Sequence, residues 1–400
     1  MAYDVAALRA HFPALATGTA HFDGPGGSQV PDVVADAVHA TLVSSIANRG
    51  RTTSAERRAD DVVHAARAAM ADLLNADPGG IVFGRSMTQL TYDFARTLAK
   101  TWQLGENIVV TRLDHDANIR PWVQAATAAG IEVRWADFDP SNGELTASDV
   151  AGVLDEQTRL VAVTGASNLI GTRPPINDIA ALAHDVGALC YVDGVHLTAH
   201  VSVDSTPFDF FACSPYKFLG PHCGVLAGIP ERLAELHPDK LLPATDAVPE
   251  RFELGTLPYE LLAGTSAAVE LIASLGTGAD RRARLVSAMA EIERHEDRLR
   301  ERVEAHLADL SVLSHSRAKT RTPTLLLTFA DLSTSDAHRF LAERNINAPS
   351  GSFYALEASR RLGLGDAGGL RVGIAPYTDD ADIDRLNAAL TEFVTGRPAR

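Results

Sequence analysis

Reactive chemistry is most readily placed at Lys217. It lies in Cys213-Ser-Pro-Tyr-Lys-Phe-Leu-Gly-Pro-His-Cys-Gly224, after an apolar run and among aromatics, prolines and glycines. Burial disfavours a charged ammonium, so a lysine in such a setting sheds its proton more easily and becomes a nucleophile towards an aldehyde. Lysine occurs only at 100, 217, 240 and 319, so few residues compete for that role. Taken alone, Lys217 reads equally well as a surface loop lysine. Its context says more: 24 residues upstream, Asp193 ends the hydrophobic run in Cys190-Tyr-Val-Asp-Gly-Val-His196. A carboxylate at a buried strand end is costly unless paired. A protonated pyridine nitrogen would be such a partner, and the pairing would keep that ring an electron sink. His196 could hydrogen-bond a phenolic oxygen on the same ring. By itself Asp193 also reads as a helix N-cap.

A third feature is Phe83-Gly-Arg-Ser-Met-Thr-Gln89, where a strand turns into a helix. Backbone N–H groups at a helix start can hold a phosphate, with the Ser86 and Thr88 hydroxyls beside them. Ser86 is open to a plainer reading as an N-cap.

These residues need elements to position them. Strand-length apolar runs are predicted at Gly80–Phe83, Asn107–Arg112, Ile131–Trp135, Leu160–Thr164, Leu189–Val192 and Phe208–Ala212, with another at Gly224–Ala227. Helical patterns at Thr88–Thr101, Pro121–Ala129 and Ile176–Val186 alternate with them. Such alternation implies crossover units, a mostly parallel sheet covered by helices, and ligands beyond the carboxyl ends of the strands. After Thr256 the texture changes. Pro258–Ala308 reads as two helices, followed by a strand at Thr322–Phe329, a helix at Thr334–Asn345, a strand near Leu370–Ile374 and a helix at Asp380–Thr395. The expected division is a large α/β domain over 18–257 and a smaller α+β domain over 258–400, with residues 1–17 packing on the latter.

The chain has 400 residues, 46% apolar and 22% charged, an ordinary globular balance for two domains. A net charge of −15 argues against nucleic acid and anionic lipid as partners. No apolar run reaches bilayer length, and Met1–Thr17 is amphipathic and acid-bearing, unlike a signal peptide. A cytoplasmic protein is expected. Cys190, Cys213 and Cys223 are an odd number without metal-ligand spacing, which suits a reducing compartment, and no metal site is expected.

An Asp at a strand end followed by Ser-x-Tyr-Lys-x-x-Gly-Pro resembles the class V aminotransferase family, and within it the cysteine desulfurase-like group. The resemblance runs from His21-Phe-Asp-Gly-Pro-Gly-Gly27 to Arg371. It implies the aspartate aminotransferase-like fold (fold type I) of pyridoxal-phosphate-dependent transferases, with a seven-stranded, mostly parallel sheet in the large domain. It also implies pyridoxal 5′-phosphate carried as a Schiff base on Lys217. On the same resemblance His115, in Leu113-Asp-His-Asp-Ala-Asn-Ile-Arg-Pro-Trp122, stacks on the ring and shuttles protons. Asn168, in Ala166-Ser-Asn-Leu-Ile-Gly171, supports the phenolic oxygen or the substrate. Thr88, Ser214 and Tyr216 bind phosphate, while Met87 stands where a second threonine is usual. Thr256, in Arg251-Phe-Glu-Leu-Gly-Thr256, would reach the phosphate of a neighbouring subunit, which requires a homodimer with shared sites. Arg371, in Gly-Gly-Leu-Arg-Val-Gly-Ile, grips the substrate carboxylate, as a guanidinium does in two-pronged fashion. Arg49, in Ala47-Asn-Arg-Gly-Arg51, falls near the substrate entrance.

The chain departs from that pattern in one segment. Sulfur-donating desulfurases carry a mobile-loop cysteine, and the matching stretch here, Asn347-Ala-Pro-Ser-Gly-Ser-Phe-Tyr-Ala355, has none. No sulfur-acceptor scaffold is therefore expected, and the expected reaction is C–S β-elimination from an S-substituted cysteine. The alternative is a transaminase or decarboxylating deaminase of specialised metabolism. Asp193-Gly-Val-His196 and Pro215-Tyr-Lys217 also echo kynureninase, but the stretch around His115 and Asn118 does not. A cofactor-binding transcription regulator would carry basic charge, which is absent.

Overall fold

The structure, a computed structural model, describes residues 3–396. A two-residue strand, β1 (Ala20–His21), precedes the central sheet. The sheet itself is built from β2 (Ile81–Gly84), β3 (Asn107–Thr111), β4 (Glu132–Ala136), β5 (Thr158–Thr164), β6 (Leu189–Asp193), β7 (Phe210–Cys213) and β8 (Gly224–Gly228). Their spatial order is β2-β8-β7-β6-β5-β3-β4. β4, β3, β5, β6 and β7 run parallel to one another, and β8 is antiparallel to β7 on one side and β2 on the other.

Side chains alternate across this sheet, and both faces are buried. Val109, Val161, Val163, Cys190, Val192, Phe211 and Val225 join one core cluster with residues of the helices Ser54–Leu74, Ile176–Asp185 and Tyr259–Ser274. Their neighbours Ile108, Val110, Leu160, Ala162, Tyr191, Phe210 and Leu226 join another with the helices Met87–Ala99 and Arg120–Ala129. Burial on two faces is why these strands are continuous apolar runs rather than alternating ones.

The smaller body is a four-stranded antiparallel sheet of β9 (Val312–Ser314), β10 (Thr324–Phe329), β12 (Ser350–Gly351) and β13 (Gly369–Gly373), in the order β12-β13-β10-β9. β11 (Ile346–Asn347) lies outside it and pairs in parallel with β1. The N-terminal segment is also tied down by the Tyr3 hydroxyl donating to the Pro376 carbonyl and by Arg9 meeting Asp382 at 2.7 Å.

The helical stretch after Thr256 does not fall wholly on the smaller body. Leu262, Val269 and Ile272 of Tyr259–Ser274 pack into the large sheet's core. The long helix Arg281–Leu307 divides: Leu285, Met289 and Ile292 join that same core, whereas Leu299, Val303 and Leu307 join the core of the smaller body. One helix therefore belongs to both bodies, which no change of composition reveals.

The close approach of β8 to the start of the helix Met87–Ala99 constrains Gly224. A Cβ there would meet the Ser86 carbonyl carbon at 2.2 Å and the Met87 nitrogen at 2.5 Å. Both are backbone atoms that cannot swing aside. Gly224→Ala should lower stability by about 1–3 kcal/mol, measured by denaturant unfolding. It should also displace the turn at Ser86–Thr88, which the sequence marks as an expected phosphate-binding turn.

Candidate active site

The carboxyl ends of five strands converge on one pocket. β2 runs into Ser86 and the helix Met87–Ala99; β3 leads to His115, β5 to Asn168, β6 ends on Asp193 with His196 just beyond, and β7 delivers Ser214, Tyr216 and Lys217. All of these except Ser86 line the pocket. A wider mouth of about 460 Å³ opens above it, where Arg371 enters from β13 of the smaller body.

Local structure explains each placement. Ser214 is extended and Pro215 starts a single 3-10 turn that ends at Lys217, so the lysine is presented on a short, rigid corner. Its ammonium donates to the Pro25 carbonyl and lies 5.0 Å from the centre of the Tyr216 ring, which in turn stacks on His222. Behind His115, buried Asp114 accepts from the Thr111 hydroxyl and, at 2.7 Å, from the Asn118 amide; the Asn118 oxygen accepts from the Trp122 indole at 3.0 Å. That network fixes the turn, and the Ala117 N–H donates to His115 Nδ1 at 3.0 Å. Nδ1 is thereby an acceptor, which leaves the ring proton on Nε2.

Charge in the pocket is scarce and expensive. Asp193 is buried, accepts one hydrogen bond from the Val195 N–H at 2.9 Å, and its carboxyl is pushed up to about 6 by burial. Burial, and then the Arg371 charge, bring Lys217 down to about 7. Burial and the Lys217 charge lower His115 to about 4, so its ring is neutral near pH 7. Arg371 is only 2% exposed; burial draws even this guanidinium down to about 9. It donates to the Asn168 carbonyl at 3.1 Å and lies 3.6 Å from the centre of the Phe353 ring. His196 Nε2 sits 3.0 Å from both the Thr322 and Thr324 hydroxyls, and burial holds the ring well below its usual range.

Two buried polar atoms of pocket-lining residues, Asn168 Oδ1 and His196 Nδ1, have no hydrogen-bond partner among the described residues. Unsatisfied buried atoms in a native site call for a ligand or a strain explanation. At the other end of the pocket the Ser86 hydroxyl accepts from the Gln89 N–H at 3.1 Å and so serves as the helix cap. Thr88 is exposed to the pocket, whereas the Met87 side chain packs into the core. The first N–H groups of a helix lack helical partners, and those of Met87 and Thr88 open an anion site here.

Two residues expected at the site lie elsewhere in this chain. Arg49 is outside the pocket, its guanidinium held by Asp60 at 2.7 Å and Glu250 at 3.0 Å. Thr256 is exposed and does not line the pocket of its own chain. Conversely, the mouth recruits Pro25, Tyr92, Arg120, Phe353 and Tyr354. Arg120 lies four residues from Asp116 and pairs with it at 2.8 Å, a spacing legible in the sequence. Tyr92 sits one helical turn beyond Thr88, which also was a usable signal.

An easily deprotonated lysine, a buried carboxylate and an anion-ready helix start, set at the carboxyl edge of a parallel sheet, suit the amine-binding aldehyde, the ring nitrogen and the phosphate of pyridoxal 5′-phosphate. The Aminotransferase class-V family model matches residues 20–386, and the chain belongs to that family. An uncharacterised protein of Mycobacterium tuberculosis is 33% identical to it, covering 98% of this chain and all of that one. A cysteine desulfurase of Dickeya dadantii is 31% identical over 97% of this chain and 96% of its own. The crystal structure of the cysteine desulfurase CsdA (S-sulfonic acid) from Escherichia coli superposes with a TM-score of 0.86 at 27% identity, covering both chains completely. The fold is therefore the type I fold of pyridoxal-phosphate enzymes, and the protein is a pyridoxal-phosphate-dependent enzyme of the desulfurase-like group. Among the described residues no helix is long and apolar enough to cross a membrane.

The two perturbed groups act on stability in opposite directions in the cofactor-free protein. Folding holds a proton on Asp193 that the unfolded chain releases between 3.8 and about 6, so stability falls as pH rises through that window. Folding strips from Lys217 a proton that the unfolded chain keeps up to 10.5, so stability rises with pH from about 7 towards 10.5. Lys217→Met should flatten that second rise relative to wild type. Urea midpoints of both proteins at pH 6, 7.5 and 9 measure it, and parallel curves would refute the assignment of the rise to Lys217.

Proposed function

We propose that this enzyme cleaves the C–S bond of an S-substituted cysteine by β-elimination, releasing a thiol, with pyruvate and ammonia as the other products. The observation that carries the reading is the absence of a thiol where sulfur would depart. Cys190, Cys213 and Cys223 are all buried and line neither the pocket nor its mouth, and burial pushes each thiol up. The mouth segment that could carry a sulfur relay instead presents Phe353 and Tyr354. On this reading sulfur leaves directly, and no sulfur-accepting partner is needed. The alternative of a transaminase or decarboxylating deaminase has no separate observation in its favour.

Pyridoxal phosphate, when bound, supplies an aldehyde for the substrate amine and a ring that accepts electrons from Cα. The chain's residues divide the remaining work. Lys217 is the attachment point and, with its lowered proton affinity, the base for the Cα proton. Asp193 would hold the positive ring nitrogen, and Asn168 and His196, which line the same pocket and each carry an unpartnered buried atom, would border the phenolic oxygen. Arg371 receives the substrate carboxylate. His115, neutral, would stack on the ring. As the Cα–H and Cβ–S bonds break, the electron pair of the first forms the new double bond and that of the second leaves with sulfur. The ammonium formed on Lys217 can then return the proton to that sulfur. The aminoacrylate left behind takes up water to give pyruvate and ammonia.

Borohydride treatment of the yellow enzyme should fix the cofactor on Lys217, found by peptide mapping; an adduct on Lys100, Lys240 or Lys319 would sink the assignment. Given a panel of S-alkyl and S-aryl cysteines, cysteine sulfoxides, free cysteine, plain amino acids and kynurenine, the enzyme should form pyruvate fastest from sulfoxides and S-aryl conjugates. Those release the better leaving groups. Rapid sulfide from free cysteine, with a persulfide on Cys213 or Cys223, would restore a desulfurase reading.

The reading includes a cytoplasmic homodimer with shared sites. Its support is the exposed apolar stretch around Thr256: Leu241, Leu242 and Leu254 are 70%, 97% and 55% exposed. If Thr256 serves the neighbouring subunit's phosphate, mixing Lys217→Ala with Thr256→Val subunits gives heterodimers with one doubly damaged and one intact site. Each heterodimer should then recover towards half the activity of a wild-type dimer. Mixtures showing no recovery after subunit exchange would argue that each chain uses its own Thr256.

A further inference from the structure

The mouth above Lys217 is larger than the amino and carboxyl end of a substrate requires. Arg371 marks the carboxylate end, beside Asn168. The same mouth is lined by Tyr92, Tyr354 and the Arg120–Asp116 pair. Arg120 contacts Asp116 through both Nε and Nη2, so its charge is already matched and does not call for an anionic substituent.

Phe353 and Tyr354 are consecutive non-glycine residues in the left-handed region, with φ of +52° and +59°. That conformation is unfavourable for aromatic side chains and persists where surroundings hold it. Here the holding groups come from the site itself. The Asn168 side-chain amide donates to the Phe353 carbonyl at 3.0 Å, and the Asp116 N–H donates to the Tyr354 carbonyl at 2.7 Å. The resulting twist sends the two rings opposite ways. Phe353 turns inward beneath the Arg371 guanidinium. Tyr354 stands outward, 76% exposed, its ring centre 5.5 Å from that of His115 and tilted by 36°. Its intramolecular packing is thus limited, although the backbone is held in an uncommon conformation to display it. Exposed aromatic faces at a ligand mouth are stacking surfaces.

We propose that Tyr354 is a specificity-determining residue whose ring stacks on a planar, uncharged aromatic group at the distal end of the substrate. In identifying that group as the substituent on sulfur, the proposal rests on the C–S cleavage reading above. Tyr92 flanks the same space from the helix Met87–Ala99.

The test compares holoenzyme of wild type, Tyr354→Ala and Tyr354→Phe on S-benzyl-, S-(cyclohexylmethyl)- and S-methyl-L-cysteine. All three release alkyl thiolates, so differences among them report recognition more than leaving-group chemistry. In wild type, kcat/KM should be highest for the benzyl compound. In Tyr354→Ala the benzyl-to-methyl ratio should fall about three- to tenfold, the range an aromatic pair supplies, and Tyr354→Phe should restore it. An unchanged ratio in Tyr354→Ala, or a cyclohexylmethyl compound as good as the benzyl one, would overturn the proposal. If no compound releases thiol, the cleavage reading fails on its own. The proposal is then decided by affinity, from the change in cofactor absorbance on titration: the same ranking and the same loss in Tyr354→Ala support it, and their absence overturns it.

Discussion

Asp193 and Lys217 share one pocket largely withdrawn from water, and the energetic difficulty of that arrangement organises the rest of the molecule. Neither group is comfortable: burial raises the carboxyl towards 6 and lowers the amine towards 7. Each polar atom nearby must therefore come from rigid backbone, since a mobile support would let water or a rotamer change relieve the penalty. The parallel sheet supplies that rigidity. Asp193 is the last residue of β6, between β5 and β7, in register with Thr164 and Ala212. The lysine hangs from the end of β7 on a proline-started turn. A sheet buried on both faces cannot adjust locally, and its strand ends hold what they carry.

The smaller body contributes the pocket's other strong charge. Arg371 comes from β13, reaches across to the Asn168 carbonyl of the large sheet's loop, and is nearly as buried as the core around it. The two bodies share a continuous support as well. The helix Arg281–Leu307 packs with its first half on one core and its second half on the other, and midway along it Glu296 meets His200 at 2.8 Å. His200 packs edge-on against His196, which lines the cofactor pocket. The buried pair thus ties the shared helix to the wall of the pocket.

Much of this arrangement was legible in the sequence, and the reasons are specific. The seven strands of the large sheet announce themselves because two-sided burial makes each a compact apolar run bounded by turn residues. Asp193 and Lys217 stand out because charged groups at the ends of such runs need an explanation. The helices Asp32–Leu42 and Ser54–Leu74 were not placed, since they precede the alternation of strands and helices that made the others legible. The division at Thr256 was legible as a change of texture but not as a boundary, because packing partners decide to which body a helix belongs. Tyr354 carries no signal of its own. Its left-handed backbone depends on hydrogen bonds from Asn168 and Asp116, far away in sequence, and only the folded chain brings the three together.

The proton inventory of the pocket narrows how the departing sulfur of the proposed reaction can be served. An imidazolium would be the usual donor at neutral pH, yet His115 is held near 4 by burial and by the Lys217 charge, with Nδ1 already accepting from Ala117. A neutral imidazole gives up its remaining proton only at very high pH, so His115 suits stacking and hydrogen bonding better than acid catalysis. His196 is held well below its usual range by burial and sits between two threonine hydroxyls. Arg371 keeps its proton near neutrality and is the proposed carboxylate-binding group. Lys217, titrating near 7, is the one group of the set that can take a proton from Cα and give it up again at the same pH. The displacement that makes it a base also makes its ammonium a competent acid. The cost of burying that amine is thus also the source of its usefulness in both halves of the proposed elimination.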